Sequence, residues 1–503
     1  MISESRPITS TASFLFFMMV FTSGIIVLLF AGDLKPWMSI PLALAPPILV
    51  LAIRRFPAAL IVPTIFISNF KSQAAATQGF SLTDPTLLCL ALLFVALCLN
   101  LFFLYIQARG ETLRYLFAGQ GKAIACFLLL EFLVAFSYLH TSDPEYGKIL
   151  VAKFFTIDLF LFLVPLLLFR DERDLRHFAL VMVGFAVPLA LYRMVVNFST
   201  ASGVNVDITQ ISAGHLIGMT ILLIVNYRMT RSRWLQLGIF LTIPVLVVGL
   251  IVSDARGPAL ACLAMFFVSV FSKRGAGIVS GRAAKIAIIV MVVAMVGVTI
   301  AKVASSGSRG GEKLHAKAEE LKALLSGESA RGSAGDRLFG WEAAISAFVK
   351  KPVLGWGAGG TRAYIKTHRG MFGIYGGDLK LEYPHNVVLQ VAAEQGVVGL
   401  LALVWFFWLT LKKAKRVANI TRGRLSCLFW ILIFDLMVIQ VSGDLDAWRA
   451  IWLWCGITLA ISRMLITGAI PAPVAVADRV PEQIRRPARP GFRGVPQPTV
   501  SRY

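Results

Sequence analysis

Long, uninterrupted runs of apolar residues recur along most of this chain, and they restrict its fold more than any other feature. A helix that crosses a membrane needs about 20 mostly apolar residues. We therefore expect an all-α fold, a polytopic transmembrane helical bundle of about 12–14 spans. The run at 56–70 is short and can instead be half of a hairpin with 36–53. The candidate spans are 13–31, 36–53, 56–70, 85–107, 123–139, 150–169, 178–195, 211–227, 234–253, 258–272, 286–303, 396–412, 425–441 and 447–466.

Composition supports this interpretation and excludes other classes. Hydrophobic residues make up 57% of the chain and charged residues 15%, whereas soluble proteins carry about a quarter charged residues. These values exclude a soluble enzyme and a disordered protein. All six cysteines lie inside apolar runs without metal-ligand spacing, so we interpret them as packing residues. The net charge of +22 does not indicate nucleic-acid binding, because the basic residues cluster between the apolar runs.

The positions of the basic residues predict the orientation of the bundle. Lys and Arg concentrate in alternate loops, and membrane proteins keep such loops in the cytoplasm. Both termini are then cytoplasmic. The first apolar run lacks a small-residue cleavage site and is interpreted as a retained span. The Lys- and Arg-rich loops include 54–55, 109–122, 170–176, 228–233, 273–285 and 412–424.

One segment, 304–384, is too long to be an ordinary connection, and it divides the chain. We expect an N-terminal transmembrane bundle over 1–303, a large extracytoplasmic loop over 304–384 with short helices, C-terminal transmembrane helices over 385–466, and a disordered basic, proline-rich tail over 467–503. The loop helices are predicted at 311–325 and 336–351, with Asp336 as N-cap and Pro352 as stop signal. The Gly355–Gly360 stretch that follows reads as a tight turn rather than a phosphate-binding loop, because no Lys-Ser/Thr follows it and no helix clearly begins there.

Charged residues gather at the predicted outer ends of the spans. Charge inside a membrane is costly, so each such residue is a functional candidate. Three cations at one depth beside a histidine and a carboxylate suit an anionic ligand such as a diphosphate. Single cations at span ends can also simply reach toward water. The outer group comprises Lys153, Arg193, Arg256, His385, Asp444 and Asp446.

Other polar residues lie nearer the middle of the spans. Glu131, Asp158 and Asp435 either pair with a cation of a neighbouring helix or form a proton relay. His215 either lines a cavity or is a satisfied interior histidine. The remaining histidines, His140, His177, His315 and His368, are expected in loops.

His385 has the most informative surroundings. Pro384 favours an extended residue before it, and Asn386 can cap a helix. Gly396 and Gly399 permit close packing at the start of the next span. His385 would thus be held at the mouth of a membrane helix, where it can act as a general base on a hydroxyl group.

These residues resemble the O-antigen ligase and O-antigen polymerase superfamily of bacterial integral membrane glycosyltransferases. Two signatures match: His-Asn-x9-Gly-x2-Gly, here from His385 to Gly399, and Arg-x3-Leu, here Arg256 to Leu260. The loop segment that begins at Arg337 is also similar to that family. The resemblance covers roughly residues 210–445, while the N-terminal third matches only as a hydrophobic bundle.

The resemblance implies a metal-independent, inverting glycosyl transfer without a cofactor, at the periplasmic side of the bacterial inner membrane. The donor would be a glycan on undecaprenyl diphosphate, and the acceptor a sugar hydroxyl on lipid A-core or on another lipid-linked glycan. Membrane lipid surrounds the protein, and no nucleic acid takes part. His385 and Arg256 would be catalytic. The residues that would bind the diphosphate are Arg256, Arg193, Lys153 and Arg337. The residues that would support the site are Asn386, Asp444, Gly396 and Gly399.

Three other functions stay open at this point. The many spans and the buried charges are compatible with a flippase or transporter of lipid-linked oligosaccharide, but such a protein does not need a general base in a loop. A peptidoglycan glycosyltransferase of the shape-and-division family would depend on a carboxylate such as Asp444 more than on His385. An assembly subunit without chemistry would tolerate the loss of His385.

Overall fold

The computed structural model describes residues 56–66, 85–108, 117–198, 210–253, 255–272, 297, 333–368, 383–441 and 449–470. Every regular element within these ranges is helical, which confirms the predicted all-α class. Six helices among the described residues are long and apolar enough to cross a membrane, and shorter apolar helices accompany them. The chain is therefore a multi-pass membrane protein. The predicted spans 13–31, 36–53 and 286–303 and the predicted helix 311–325 lie outside the described residues.

Within the described residues, the N-terminal half supplies ten α-helices. A 3-10 turn at Pro57–Leu60 precedes the first of them, and the described part of the 56–70 run is helical over Pro57–Phe66. The helices are α1 Ile61–Phe66, α2 Pro85–Ala108, α3 Gly121–Ser137, α4 Pro144–Lys153, α5 Leu159–Leu168, α6 Glu172–Phe198, α7 Gln210–Asn226, α8 Arg233–Phe240, α9 Ile243–Val252 and α10 Arg256–Phe271.

The C-terminal half continues with two helices from the large loop and three from the bundle. These are α11 Ser333–Lys350, α12 Gly360–Thr367, α13 Val387–Ile420, α14 Cys427–Val438 and α15 Arg449–Ile466.

Aromatic and small residues form the centre of the bundle. The ring of Phe127 in α3 lies 4.1 Å from that of Phe162 in α5 and 5.4 Å from that of Trp452 in α15. Gly456 lets α15 approach α5 closely, because a Cβ there would overlap the Phe162 carbonyl. Burial of large aromatic side chains supplies much of the packing area in such a core. α3, α5, α13 and α15 are thereby held as one layer.

One end of the bundle carries fixed basic groups. Arg424 donates to Glu172 at 2.5 Å, which joins the α13–α14 turn to the start of α6. Lys413 donates to the carbonyl of Gly119 at 2.8 Å. The buried Arg463 donates to the Phe169 carbonyl at the end of α5. This end contains several of the Lys- and Arg-rich loops noted in the sequence, and we call it the basic end.

The opposite end holds the short segments that carry the predicted site. There α13 is broken at Gly396, whose φ of 67° and ψ of −163° are not helical. The break frees the carbonyls of Ala393 and Glu394, which accept hydrogen bonds from Trp356 and Gly357 at 2.9 Å each. The freed amide of Val397 donates to Pro352 at 2.8 Å. The turn after α11 therefore satisfies the backbone groups that the kink exposes, as a membrane environment requires.

Several boundaries differ from prediction. The helix expected from Asp336 begins at Ser333, so Asp336 lies in its first turn rather than at the N-cap. A carboxylate there still favours the positive helix end. Contrary to expectation, a helix begins at Gly360, the last residue of the Gly355–Gly360 stretch. His177 lies in α6 and not in a loop.

Candidate functional site

His385 lies in the last turn before α13, and its backbone is in the left-handed region with a φ of 53°. Few residues other than glycine adopt this conformation, and such residues are frequent at functional sites. The His385 ring packs edge-on against Tyr383, with ring centroids 4.6 Å apart. In the part of the chain that the structure describes, its Nδ1 atom is buried and accepts or donates no hydrogen bond.

The electrostatic surroundings keep His385 neutral. Burial and, to a smaller extent, the positive charge of Arg337 in α11 together lower the pKa of its imidazole to about 4. A neutral imidazole has a free lone pair and can accept a proton. The large loop thus places a cation beside the histidine, a pairing that the sequence motif alone does not predict.

Asn386 connects this turn to two helices. Its side-chain oxygen accepts from the Leu389 amide at 3.0 Å, which confirms the predicted helix cap. Its side-chain amide donates to the Gln440 carbonyl at 3.1 Å, and the Val387 amide donates to Ile439 at 3.1 Å. Residues 439–441, directly after α14, therefore form a support for the His385 turn, which we call the 439–441 support.

Arg256 lies next to Gly257, which contacts the same support. It is the first residue of α10, and its side chain is exposed. Gly257 lies so close to Val441 that an added Cβ would be 2.7 Å from a Val441 methyl group. Arg256 and His385, far apart in sequence, thus each adjoin a residue that contacts the 439–441 support. The helix N-terminus at Arg256 adds its own partial positive charge to that of the guanidinium.

The other predicted cations lie farther inside the bundle. Arg193 is 3% exposed, one turn beyond Ala190, where α6 touches Gly249 of α9. Lys153 was expected near the start of its span, but the helix begins earlier, at Pro144. Lys153 therefore lies about 13 Å along the helix axis. It directly precedes a π-helical segment, Phe154–Asp158. Asp444 lies outside the described residues.

Gly396 and Gly399 are both needed at the kink of α13. Gly396 adopts a backbone conformation that is essentially restricted to glycine. A Cβ on it would overlap the Val353 carbonyl, and a Cβ on Gly399 would overlap the Gln395 side chain. The predicted close approach of another helix is not seen at these glycines among the described residues, because Gly396 meets the turn of the large loop and Gly399 meets Gln395 of α13 itself.

The large loop is also anchored to the α3–α4 connection, which the sequence did not indicate. Thr141 donates to the Ala358 carbonyl at 2.6 Å, and Gly357 leaves no room for a side chain against Thr141. Asp143 caps α4 and lies 3.7 Å from Arg362 of α12. These contacts hold the Gly355–Gly360 turn in place. Four of its amides, those of Gly355, Trp356, Gly357 and Gly360, donate to backbone carbonyls, which supports the predicted structural turn.

A buried polar group behind the kink was missed in the sequence. Gln390 donates to Glu394 at 3.4 Å, and Gln395 donates to Ser137 of α3 at 3.4 Å. All four side chains are almost fully buried. Gln390, Glu394 and Gln395 lie between His385 and Gly396 of the predicted motif. Three polar residues so close together at the start of an apolar span were the signal in the sequence that could have revealed this group.

Three of the predicted interior residues, His215, Asp435 and Glu131, differ in outcome. His215 of α7 and Asp435 of α14 are buried and 2.7 Å apart, which confirms a paired interior histidine and a paired carboxylate. Glu131 of α3 is buried as well, but neither carboxylate oxygen hydrogen-bonds to another described residue. The expected pairing of Glu131 with a cation is therefore not seen among the described residues.

Comparisons with known proteins agree with the region where this site lies. Residues 241–404 match the sequence model of the family described as O-antigen ligase. A protein of Rickettsia conorii named as a candidate polysaccharide ligase is 28% identical over 139 residues, which are 27% of this chain and 32% of that protein. A protein of Rickettsia felis with the same description is 29% identical over 139 residues, 27% of this chain and 33% of that protein.

The aligned segments thus span about a third of the length of these relatives. The matched region contains Arg256, the described loop helices, His385 and the kink of α13. The resemblance predicted from the two motifs is confirmed: residues 241–404 match the sequence model of the O-antigen ligase family.

Proposed function

We propose that this protein is a membrane glycosyltransferase of the O-antigen ligase or polysaccharide polymerase class. It moves a glycan from undecaprenyl diphosphate to a sugar hydroxyl at the outer leaflet of the bacterial inner membrane. The acceptor is lipid A-core or another lipid-linked glycan. One observation carries the proposal: a neutral histidine and an exposed arginine at a helix N-terminus flank the same 439–441 support.

The proposed chemistry is a single displacement. His385 takes the proton of the acceptor hydroxyl, whose oxygen bonds to the anomeric carbon of the donor. The bond from that carbon to the diphosphate oxygen breaks on the opposite face, and the electron pair leaves with undecaprenyl diphosphate. The configuration at carbon is inverted. A general base of this kind contributes about 10²–10⁴-fold in rate.

Arg256 stabilises the leaving group in this scheme. Negative charge grows on the diphosphate as the bond breaks, and a fixed cation aimed at that charge lowers the barrier. Arg337 has two roles, because it lies beside His385 and can also contact the diphosphate. Arg193 and Lys153 lie deeper and would contact the lipid-proximal part of the donor. No metal or cofactor enters the proposal.

Purified protein in lipid tests the proposal. It receives an undecaprenyl-diphosphate repeat unit, with or without lipid A-core, and products are read by mass spectrometry. Transfer that requires lipid A-core indicates a ligase, and chains longer than one repeat without it indicate a polymerase. We expect His385→Ala and Arg256→Ala to lose at least about 100-fold in rate.

Two variants serve as matched controls. His368→Ala removes another loop histidine, which stacks on Tyr364, and Arg231→Ala removes an exposed arginine at the basic end. Both should keep normal transfer. Full activity of His385→Ala would refute the proposed base, and movement of the intact donor across the bilayer without any transfer would favour a flippase.

A further inference from the structure

The outward side of α11 carries large apolar side chains. Leu338 and Ile345 are each 51% exposed, and Val349 is 69% exposed. Their spacing of seven and four residues keeps them within about 40° of one another around the helix. The opposite side of α11 is buried: Ala344 and Ala347 pack with Tyr364 of α12 and Ala393 of α13. α11 therefore has apolar side chains on both sides, and among the described residues protein packs against only one of them.

The exposed side chains continue beyond the end of α11. Val353 is 60% exposed, and Leu354 beside it is exposed as well. We call Leu338, Ile345, Val349, Val353 and Leu354 the α11 stripe.

The hydrogen bond from Val397 to Pro352 brings the end of this stripe against α13. Val397 and Val398 are exposed there, and Leu401, Val404 and Trp405 extend the same kind of surface along the helix. The stripe is thus continuous with side chains that face lipid.

Distances along α13 place this junction at the membrane boundary. Lys412, near the basic end, holds its Nζ 4.8 Å from the centre of the Trp408 ring. Val397 lies 15 residues earlier, or about 22 Å along the helix axis. The hydrocarbon layer is about 30 Å thick. Val397 and the adjoining Pro352–Leu354 therefore lie close to the opposite edge of that layer.

Charged residues border the stripe in positions that suit a boundary. Lys350 and Lys351 extend over the rings of Tyr364 and Trp356, at 5.0 and 4.1 Å. Glu342 is exposed on the same face as the stripe, four residues after Leu338 and seven before Val349. Long cationic side chains bury their stems at an interface and keep their charges in water, and a carboxylate on this face limits insertion of the helix to the interfacial region.

We propose that α11 is an interfacial helix whose α11 stripe is inserted into the bilayer on the side of the His385 turn. The occupant of this surface is membrane lipid rather than a second protein, because the stripe runs directly into the lipid-facing surface of α13. Lipid contact would hold Arg337, on the same helix, at a constant depth. The proposal does not depend on the proposed reaction.

Spin-label accessibility in nanodiscs tests this placement. Val349→Cys carries the label in a chain whose six native cysteines are replaced by serine or alanine, with folding checked by thermal unfolding. Trp405→Cys is the lipid reference. Thr367→Cys, exposed on α12, is the aqueous reference. We expect the ratio of oxygen to nickel-complex accessibility at position 349 to resemble that at 405 and to exceed that at 367 several-fold.

Two results would overturn the proposal. A nickel accessibility at 349 equal to that at 367 would place the stripe in water. Low accessibility to both reagents would mean that protein, and not lipid, covers it. If the cysteine-free chain does not fold, benzoylphenylalanine at position 349 of the native chain replaces the label. Crosslinks to phospholipid then support the proposal, and their absence beside efficient crosslinks from position 405 contradicts it.

Discussion

At the residue scale, His385 shows how a surrounding structure sets the chemistry of one side chain. A histidine in water has a pKa near 6.5 and is partly protonated near neutral pH. Burial and Arg337 lower the pKa of His385 to about 4. The protonated form is therefore disfavoured in the folded protein. Below pH 6.5 the unfolded chain binds more protons at this residue, so its contribution to stability falls as the pH drops from about 6.5 toward 4.

The same shift predicts the pH dependence of transfer. If His385 is the base, the acidic limb of kcat/KM that it controls should lie near pH 4 rather than 6.5. Arg337→Gln removes the neighbouring cation and should move this limb to higher pH. Lys350→Gln removes a cation of the same helix that lies over Tyr364 instead, and should not move it. An unchanged limb in Arg337→Gln would contradict this coupling.

Gly396 gives a second prediction at this scale. Gly396→Ala forces a side chain into a glycine-only conformation and against the Val353 carbonyl. We expect a loss of at least about 1–3 kcal/mol in stability, from backbone strain alone.

Thermal unfolding in detergent measures this loss. Gly184→Ala is the matched control, since Gly184 is exposed on α6 with open space around its Cα. That variant should be as stable as the parent or up to about 1 kcal/mol more stable. Equal melting temperatures for both variants would refute the role assigned to the kink.

At the element scale, short connections decide how the helices of the site are held. The kink of α13 and the turn after α11 exchange backbone hydrogen bonds, so neither has exposed amides or carbonyls at these positions. The His385 turn donates hydrogen bonds to Ile439 and Gln440, which directly follow α14. One turn earlier, Asp435 of α14 pairs with His215 of α7. This pair connects the 439–441 support to the centre of the bundle.

We therefore expect His215 and Asp435 to be energetically coupled. Asp435→Ala or His215→Ala leaves a buried polar group without its partner, at a cost of about 1–3 kcal/mol. The double variant should cost less than the sum of the two. A double-mutant cycle of thermal unfolding measures the coupling. Additive losses would show that the 2.7 Å contact contributes nothing to stability.

At the scale of the whole molecule, the two ends of the bundle differ in chemistry. The basic end is joined by the Arg424–Glu172 ion pair and by Lys413. The opposite end holds the large-loop helices and the candidate site. Membrane proteins keep basic loops on the cytoplasmic side, so we expect the site to face the periplasm.

Labelling of intact cells tests this orientation. A membrane-impermeant maleimide should modify Thr367→Cys in spheroplasts but modify Arg231→Cys only after permeabilisation. Both positions are exposed in the structure, so access depends on the side of the membrane. The reverse pattern would invert the topology and would remove the proposed reaction from the outer leaflet.

The sequence by itself determined the helical class, most of the span positions within the described residues, the helix cap at Asn386 and the two motifs of the family. These are local properties, because apolar runs, capping residues and motif spacings act over a few neighbouring residues. Only the tertiary structure decided that Arg337 lies beside His385 and that Gly257 and Asn386 meet the same support. Those relations join residues far apart in the chain, and they depend on how helices pack and where a broken helix finds partners for its backbone groups.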